Sequence, residues 1–256
     1  MPKIDTVGAK YYGPLKWLDL IGSGLFWLTS AASIGTLLVD RGAHASVSDA
    51  LQIVFILGVV LYFTQGQVQR LYFFPRAEDQ RRHQLLSDSY RVNLTHEVTA
   101  GYYNNSETAP LRRLASSVME SAFFTHEIAG IMLVGQRWRS MVYSFVYSIA
   151  VYNRSTDLAF IAIAAQAIFG EEILSRWLRL EWLSHRSAKV FDDLNRLFDD
   201  RLPFSRPATQ AHAIDSFSFY ESTKATAAVL LSSRVFNREN DRLSGEWELI
   251  RQRLGI

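Results

Sequence analysis

The chain has 256 residues, of which 48% are hydrophobic, and its formal net charge is only +2. This near balance of charge does not predict binding to duplex nucleic acid, which draws on many uncompensated cations. The chain contains no cysteine, so disulfides, thiol nucleophiles and metal sites built on thiolates are excluded. The distribution of the apolar residues is therefore more informative than their total.

Two long uncharged runs near the N-terminus predict a transmembrane hairpin. The runs 20–39 and 50–69 each contain 20 residues without a charge, and a helix of that length spans about 30 Å, the hydrocarbon thickness of a bilayer. Trp17 stands just before the first run, where an interfacial aromatic is expected. The short loop between the runs makes them the two limbs of one hairpin.

Two later runs predict a second hairpin. Residues 140–153 and 158–170 carry no charge, although each run is shorter than an ordinary transmembrane span. A polar turn separates them, and Trp138 and Trp177 flank the pair. We therefore expect four spans. A chain with two spans and a helical cytosolic body is the alternative.

The positions of the cations predict the orientation in the membrane. All but two of the 27 Lys and Arg residues fall outside the two hairpin loops, and the exceptions are Arg41 and Arg154. Cytoplasmic segments are enriched in Lys and Arg. We therefore expect both termini and the central segment to lie in the cytoplasm.

The polar segments predict further helices. Residues 112–136 carry apolar residues near helical spacing, and 171–200 present an apolar face opposite a row of cations. A helix is also expected over 216–236, and the sequence from Ser244 is typical of the start of a short terminal helix. The predicted fold class is all-α: an integral membrane protein with two transmembrane helical hairpins and a helical cytoplasmic region.

Five segments follow from these predictions. They are a cytoplasmic N-terminal segment (1–19), a first transmembrane hairpin (20–69), a cytoplasmic sensor segment (70–139), a second transmembrane hairpin (140–170) and a cytoplasmic helical C-terminal region (171–256). The sequence contains no phosphate-binding loop, no paired metal-binding histidines and no nucleophile elbow. We therefore expect no metal, no cofactor and no enzymatic activity.

The sensor segment combines the residue types that a nucleotide ligand needs. Planar cations bind phosphates, flat rings stack on bases, and side-chain amides pair with base edges. The candidate ligand-binding residues are Arg81, Arg82, Arg91, Asn93, Tyr102, Tyr103, Asn104 and Asn105. Asn and Gly also favour turns for local reasons, so a structural turn is the alternative interpretation.

One stretch of the sensor segment resembles a known family. The residues that carry the resemblance are Asp88, Ser89, Tyr90, Val92, Asn93, Leu94, Gly101, Tyr102, Tyr103, Asn104 and Asn105. Preceded by one hairpin and followed by another, they resemble the four-transmembrane pore-forming effectors of bacterial anti-phage systems that use nucleotide second messengers (the S-4TM class of CBASS). The likeness in architecture covers most of the chain.

The resemblance implies a function in anti-phage defence. A cyclic dinucleotide or oligonucleotide would bind the cytosolic part, and the protein would then form a homo-oligomer and permeabilise the bacterial inner membrane. Polar residues inside the apolar runs are the candidates to line the pore. They are Gln52, Thr64, Gln65 and Gln166. The competing hypotheses are a constitutive small ion channel or transporter and a membrane-anchored scaffold that binds a protein partner.

Overall fold

The computed structural model describes residues 4–97, 99–100, 105–152 and 171–256, and nearly all of them are helical. The helices are α1 (Gly13–Leu38), α2 (Ala45–Val68), α3 (Phe74–Tyr90), α4 (Pro110–Tyr152), α5 (Arg176–Asp199), α6 (Pro207–Ala227) and α7 (Ser233–Leu254). Three π-helical segments precede α1, join α2 to α3, and precede α5: Gly8–Tyr12, Gln69–Phe73 and Glu171–Ser175. Two short strands, β1 (Ile4–Asp5) and β2 (Thr99–Ala100), pair antiparallel. The prediction of a helical fold is confirmed.

In the part of the chain that the structure describes, three helical stretches are long and apolar enough to cross a membrane, namely Gly8–Leu38, Ala45–Tyr90 and Pro110–Ile149. These stretches contain the apolar run predicted at 20–39 except for Val39, the whole run at 50–69 and most of the run at 140–153. The fourth predicted run, 158–170, lies outside the described residues. Three apolar helices of this length indicate association with a membrane.

The third apolar run is the continuation of a longer helix. The sequence predicts a polar helix over 112–136 and a separate apolar run from Ser140, whereas α4 passes through both without a break. No Pro or Gly lies between Gln136 and Tyr152, so nothing in the local sequence interrupts the helical hydrogen bonds there.

The chain divides into two compact units. The first unit comprises Met1–Gly13, Phe74–Leu133 and Arg179–Ile256, and the second comprises Pro14–Phe73 and Val134–Leu178. The core of the first unit contains buried apolar residues of α3 to α7, with Trp247 and Leu243 fully buried. The ring centroids of Trp247 in α7 and Phe123 in α4 lie 6.2 Å apart. The first unit therefore has its own helical core.

The last two helices begin and end at different residues from those predicted. The expected helix over 216–236 is divided at 228–232, because Ala228 adopts a left-handed φ of 45° and ends α6. Ser232 then caps α7 by accepting a hydrogen bond from the Val235 backbone N–H at 3.4 Å. α7 therefore starts well before Ser244.

In the second unit, α1 and α2 pack through small residues. A Cβ added at Gly58 of α2 would lie 2.5 Å from Thr29 Cγ2 of α1, and one added at Gly22 would lie 2.8 Å from Gln65 Oε1. Such close approach lets two apolar helices gain van der Waals contact that lipid cannot supply. α1 and α2 are thus a packed pair of helices in this unit.

Replacing Gly58 with Ala should therefore weaken the packing of α1 against α2. The new methyl group collides with Thr29, and overpacking of this kind costs about 1–3 kcal/mol. The measurement is the thermal unfolding temperature of the full chain in detergent. Gly66→Ala in the same helix is the matched control, because nothing lies within 4 Å of its added Cβ. An equal loss in both variants would contradict the packing described.

Candidate functional site

Arg81, a predicted ligand residue, is engaged inside the first unit. Its Nη2 donates to Asp5 Oδ2 at 2.9 Å, and its Nη1 donates to Gln84 Oε1 at 3.1 Å. The guanidinium carbon also lies 5.5 Å from the ring centroid of Tyr12. Since only 12% of the Arg81 side chain is exposed, Arg81 fastens the N-terminal strand β1 to α3.

Arg82, Arg91 and Asn93 lie at the surface. The Arg82 side chain is 42% exposed and donates to Asp79 Oδ1 at 2.9 Å. Arg91 and Asn93 are exposed, and Arg91 adopts a left-handed φ of 56° directly after the end of α3. These three side chains are accessible to a ligand in solution.

The chain that follows α3 folds back along that helix. The backbone N–H groups of Val92 and Leu94 donate to the carbonyl and the hydroxyl of Ser87, at 3.2 and 3.1 Å. The Thr95 hydroxyl donates to Gln80 Oε1 at 2.9 Å. This part of the sensor segment is therefore a return loop whose backbone is held by α3.

Asn105 organises the approach to α4. Its Nδ2 donates to the Arg113 carbonyl at 2.8 Å and lies 3.1 Å from the Ser117 hydroxyl, and its Oδ1 accepts from the Glu107 backbone N–H at 2.9 Å. The amide thus bonds within the protein through both its nitrogen and its oxygen. The predicted ligand residues Tyr102, Tyr103 and Asn104 lie outside the described residues.

The predicted pore-lining residues have different surroundings. Gln52 and Thr64 are exposed on α2, and the Thr64 hydroxyl donates to the Val60 carbonyl of its own helix at 2.8 Å. Gln65 is half-buried, and its Nε2 donates to the Leu18 carbonyl of α1 at 2.8 Å. Gln65 therefore links the two helices of the hairpin. Gln166 lies outside the described residues.

A buried ionic cluster, which sequence analysis did not identify, joins three elements of the first unit. Lys224 Nζ on α6 lies 2.9 Å from both Glu78 Oε2 on α3 and Glu221 Oε1 on α6. The Tyr12 hydroxyl, from the π-helical segment before α1, donates to Glu78 Oε1 at 2.6 Å. The side chains of Lys224, Glu78 and Glu221 are at most 15% exposed. We call these four residues the ionic cluster.

Tyr220 connects the ionic cluster to α4. The Lys224 ammonium lies 5.0 Å from the Tyr220 ring centroid, and the Tyr220 hydroxyl lies 2.8 Å from Thr125 Oγ1. The same hydroxyl donates to the Ser121 carbonyl at 3.1 Å. α3, α4 and α6 therefore meet around buried polar groups that hydrogen bonds and ion pairs satisfy.

The pKa values in the ionic cluster follow from burial and charge together. Burial alone would lower the pKa of Lys224, but Glu78 and Glu221 outweigh it and raise that pKa well above its usual value. Burial opposes ionisation of Glu78, yet Lys224 and the Tyr12 hydroxyl lower its pKa overall. Burial prevails at Glu221 and raises its pKa. The fold therefore favours the ionised form of Glu78 and disfavours the ionised form of Glu221.

Sequence analysis missed the ionic cluster for a physical reason. Glu78 belongs to a stretch rich in charges, and Glu221 and Lys224 have the spacing of an ordinary pair on a solvated helix surface. The available signal was composition, because Asp215, Glu221 and Lys224 are the only Asp, Glu, Lys or Arg residues in α6. Only packing against α3 identifies the pair as buried.

Comparison with protein-family models, with characterised proteins and with solved structures finds no match to this chain. Within the described parts of the chain, no group of three or more His, Asp and Glu side chains is placed to hold a metal ion. The protein is therefore defined by class: it is predominantly helical, and within its described residues three helical stretches are long and apolar enough to cross a membrane.

Glu78→Gln should destabilise the protein at neutral pH, whereas Glu221→Gln should cost less. Removing one partner of a buried ion pair typically costs about 3 kcal/mol, and Glu78 is the carboxylate whose charge the fold favours. Glu221 has a raised pKa, so its ionised form opposes folding once the pH exceeds its unfolded value. Chemical denaturation of the two variants at pH 7 measures the difference, and equal losses would contradict the assignment.

The cost of Glu78→Gln should also depend on pH. Because the folded pKa of Glu78 is depressed, its contribution is present above the unfolded value of about 4.3 and is lost as the pH falls through the folded pKa. Denaturation curves of wild type and variant should therefore approach each other as the pH falls below about 4.3, and coincide only once the pH is below the depressed folded pKa of Glu78. A difference that stays constant down to the lowest accessible pH would show that the charge of Glu78 is not responsible.

Asn105→Ala should destabilise the start of α4 even without any ligand. The substitution removes hydrogen bonds to Arg113 and Glu107, and loss of such a helix-end side chain costs about 1 kcal/mol. Asn93→Ala is the matched control, since Asn93 is exposed. Thermal unfolding without nucleotide measures both, and an unchanged Asn105→Ala variant would leave this residue free for ligand recognition.

Proposed function

We propose that the chain is a membrane effector of anti-phage defence that responds to a cyclic dinucleotide or oligonucleotide. In this proposal it forms a homo-oligomer and permeabilises the bacterial inner membrane. Residues 20–69 and 140–170 form two transmembrane hairpins, and both termini are cytoplasmic. The resemblance carried by the residues between Asp88 and Asn105 supports the ligand class and the defence role. The membrane role is supported by the surfaces of the apolar helices.

The apolar surface of α2 is the observation that carries the proposal. Only 11% of the most apolar window of the stretch Ala45–Tyr90 is buried within the protein. Ile53, Leu57, Val60 and Phe63 are each at least 57% exposed. Exposed apolar area costs roughly 25 cal/mol per Å² in water, and patches of this kind mark membrane or protein contacts. Lipid and neighbouring copies of the chain would cover this surface.

The helix connections support a link between ligand binding and the membrane. The sensor loop joins α3 to α4, α3 follows α2 through the π-helical segment Gln69–Phe73, and α4 itself continues into apolar sequence. Residues of α4 such as Val118 are buried in the core of the first unit, whereas Phe145 of the same helix is 67% exposed. A ligand that reorders the sensor loop would therefore act on two helices that lead into the apolar segments.

The coupling would be a shift of population. A ligand favours an open or oligomeric state only by binding it more tightly than the closed state, and a tenfold shift needs about 1.4 kcal/mol. Arg82, Arg91 and Asn93 are accessible for this purpose, whereas Arg81 and Asn105 already bond within the protein. In an oligomer the exposed side chains of Gln52 and Thr64 on α2 would be available to line a pore.

Dye release from vesicles tests the proposal. The full chain is reconstituted into sealed vesicles, and release is followed on addition of a panel of cyclic di- and trinucleotides. We expect release with one member of the panel and at least a tenfold weaker response in Arg91→Ala and Tyr102→Ala. Alanine at position 91 keeps an L side chain at the left-handed φ of 56°, so the backbone requirement is unchanged. Arg238→Ala, an exposed cation of α7, is the matched control.

Other outcomes select the competing hypotheses. Equal release with and without every nucleotide would favour a constitutive channel. No release, together with no heat of nucleotide binding in calorimetry of the detergent-solubilised chain, would favour a membrane-anchored scaffold. Nucleotide-dependent release that Arg91→Ala and Tyr102→Ala both leave unchanged would retain the effector function and reject the predicted ligand residues.

A further inference from the structure

In the second unit, hydrogen bonds and an ion pair connect the start of α1 with the end of α2 and with the first residue of α5. Gln65 near the end of α2 donates to the Leu18 carbonyl near the start of α1 at 2.8 Å. Arg176, the first residue of α5, donates from Nη1 and Nη2 to the two carboxylate oxygens of Asp19 at 3.2 and 3.1 Å. We call this end of the helix pair, which contains Leu18 and Asp19, the open end of the hairpin, because α1 begins and α2 ends there.

Cations and aromatic rings are exposed at this open end. Trp17 is 69% exposed, and Lys16 beside it is also exposed. On the other helix of the hairpin, Arg70 is exposed and Tyr72 is 54% exposed. Among the described residues, no carboxylate pairs with Lys16. We call Lys16, Trp17, Arg70 and Tyr72 the interfacial belt.

The closed end of the same hairpin, which is the loop between α1 and α2, differs both in its cations and in its aromatic residues. Its loop contains one cation, Arg41, which donates to Asp49 Oδ1 at 3.2 Å. No Trp, Tyr or Phe occurs between Val39 and Leu51. The two ends of one apolar hairpin therefore carry different chemistry: the open end has two exposed cations and two exposed aromatic rings, whereas the closed end has one cation, which pairs with Asp49, and no ring.

We propose that the interfacial belt binds the headgroups of anionic phospholipids. Trp and Tyr rings are favoured at the depth of the headgroups because each has an apolar body and a polar edge. Lys and Arg extend their apolar stems along a helix and place the charge among lipid phosphates. The occupant is a lipid because the belt adjoins the apolar surfaces of α1 and α2, which a soluble anion would leave uncovered. The proposal rests on the membrane insertion proposed above, but not on any response to nucleotides.

The test measures lipid preference in the full chain. The protein is placed in nanodiscs of phosphatidylcholine alone or of equal parts phosphatidylcholine and phosphatidylglycerol, and lipids retained after extraction are counted by native mass spectrometry. We expect wild type to retain phosphatidylglycerol preferentially. Each cation near an anionic surface is worth about fivefold in affinity, so Lys16→Gln combined with Arg70→Gln should reduce the preference by roughly 25-fold. Arg41→Gln at the closed end is the matched control and should leave it unchanged.

Three results would contradict the binding of anionic phospholipids by the interfacial belt. They are equal retention of both lipids by wild type, an equal loss in Arg41→Gln, and displacement of the retained phosphatidylglycerol by inorganic phosphate, which would indicate a site for soluble anions. Washing vesicles with alkaline carbonate separates this failure from failure of membrane insertion. A chain that resists the wash without preferring phosphatidylglycerol disproves the belt alone, whereas a chain released by the wash disproves the insertion on which the proposed function depends.

Discussion

The apolar surface that α1, α2 and α4 cannot bury against the rest of the chain is the constraint on which the other features depend. A helix in hydrocarbon must satisfy its own polar groups, and several hydroxyls of α1 and α2 bond within their own helices. Thr29 and Ser30 both donate to the Phe26 carbonyl, at 2.9 and 2.8 Å. Glycines then let α1 and α2 approach closely. Low charge, hydroxyls bonded within the helix and small contact residues are all features that suit helices whose apolar surface stays exposed.

The first unit differs from these apolar helices, because charged side chains are buried in its interior. Lys224 is buried together with two carboxylates, and such a group is weak evidence for stability but specifies which elements meet. Here it fixes the π-helical segment that precedes α1 and the helix that follows α2 against α6.

Turn formation and ligand recognition favour the same residue types in the sensor segment. The structure separates the described members of the motif into those that bond within the protein and those that are exposed. Arg81 and Asn105 are committed to hydrogen bonds within the protein, whereas Arg91 and Asn93 present their side chains to solvent from a loop held by Ser87 and other residues of α3. Charge and amide content alone could not separate these roles, because the separation depends on partners distant in sequence, such as Asp5.

The sequence by itself determined the helical class and the apolar runs that α1, α2 and α4 contain, because hydropathy and helix length are properties of contiguous residues. It also showed that, apart from Arg41 and Arg154, the Lys and Arg residues lie outside the two predicted hairpin loops. Only the tertiary structure decided that Glu78 and Lys224 form a buried pair, that α4 is one helix from Pro110 to Tyr152, and that Gln65 joins α2 to α1. The pairings depend on residues brought together from distant positions, which no local pattern encodes. The continuity of α4 was hidden in the sequence by the change from an amphipathic to an apolar pattern near Ser140, although no Pro or Gly interrupts the helix there.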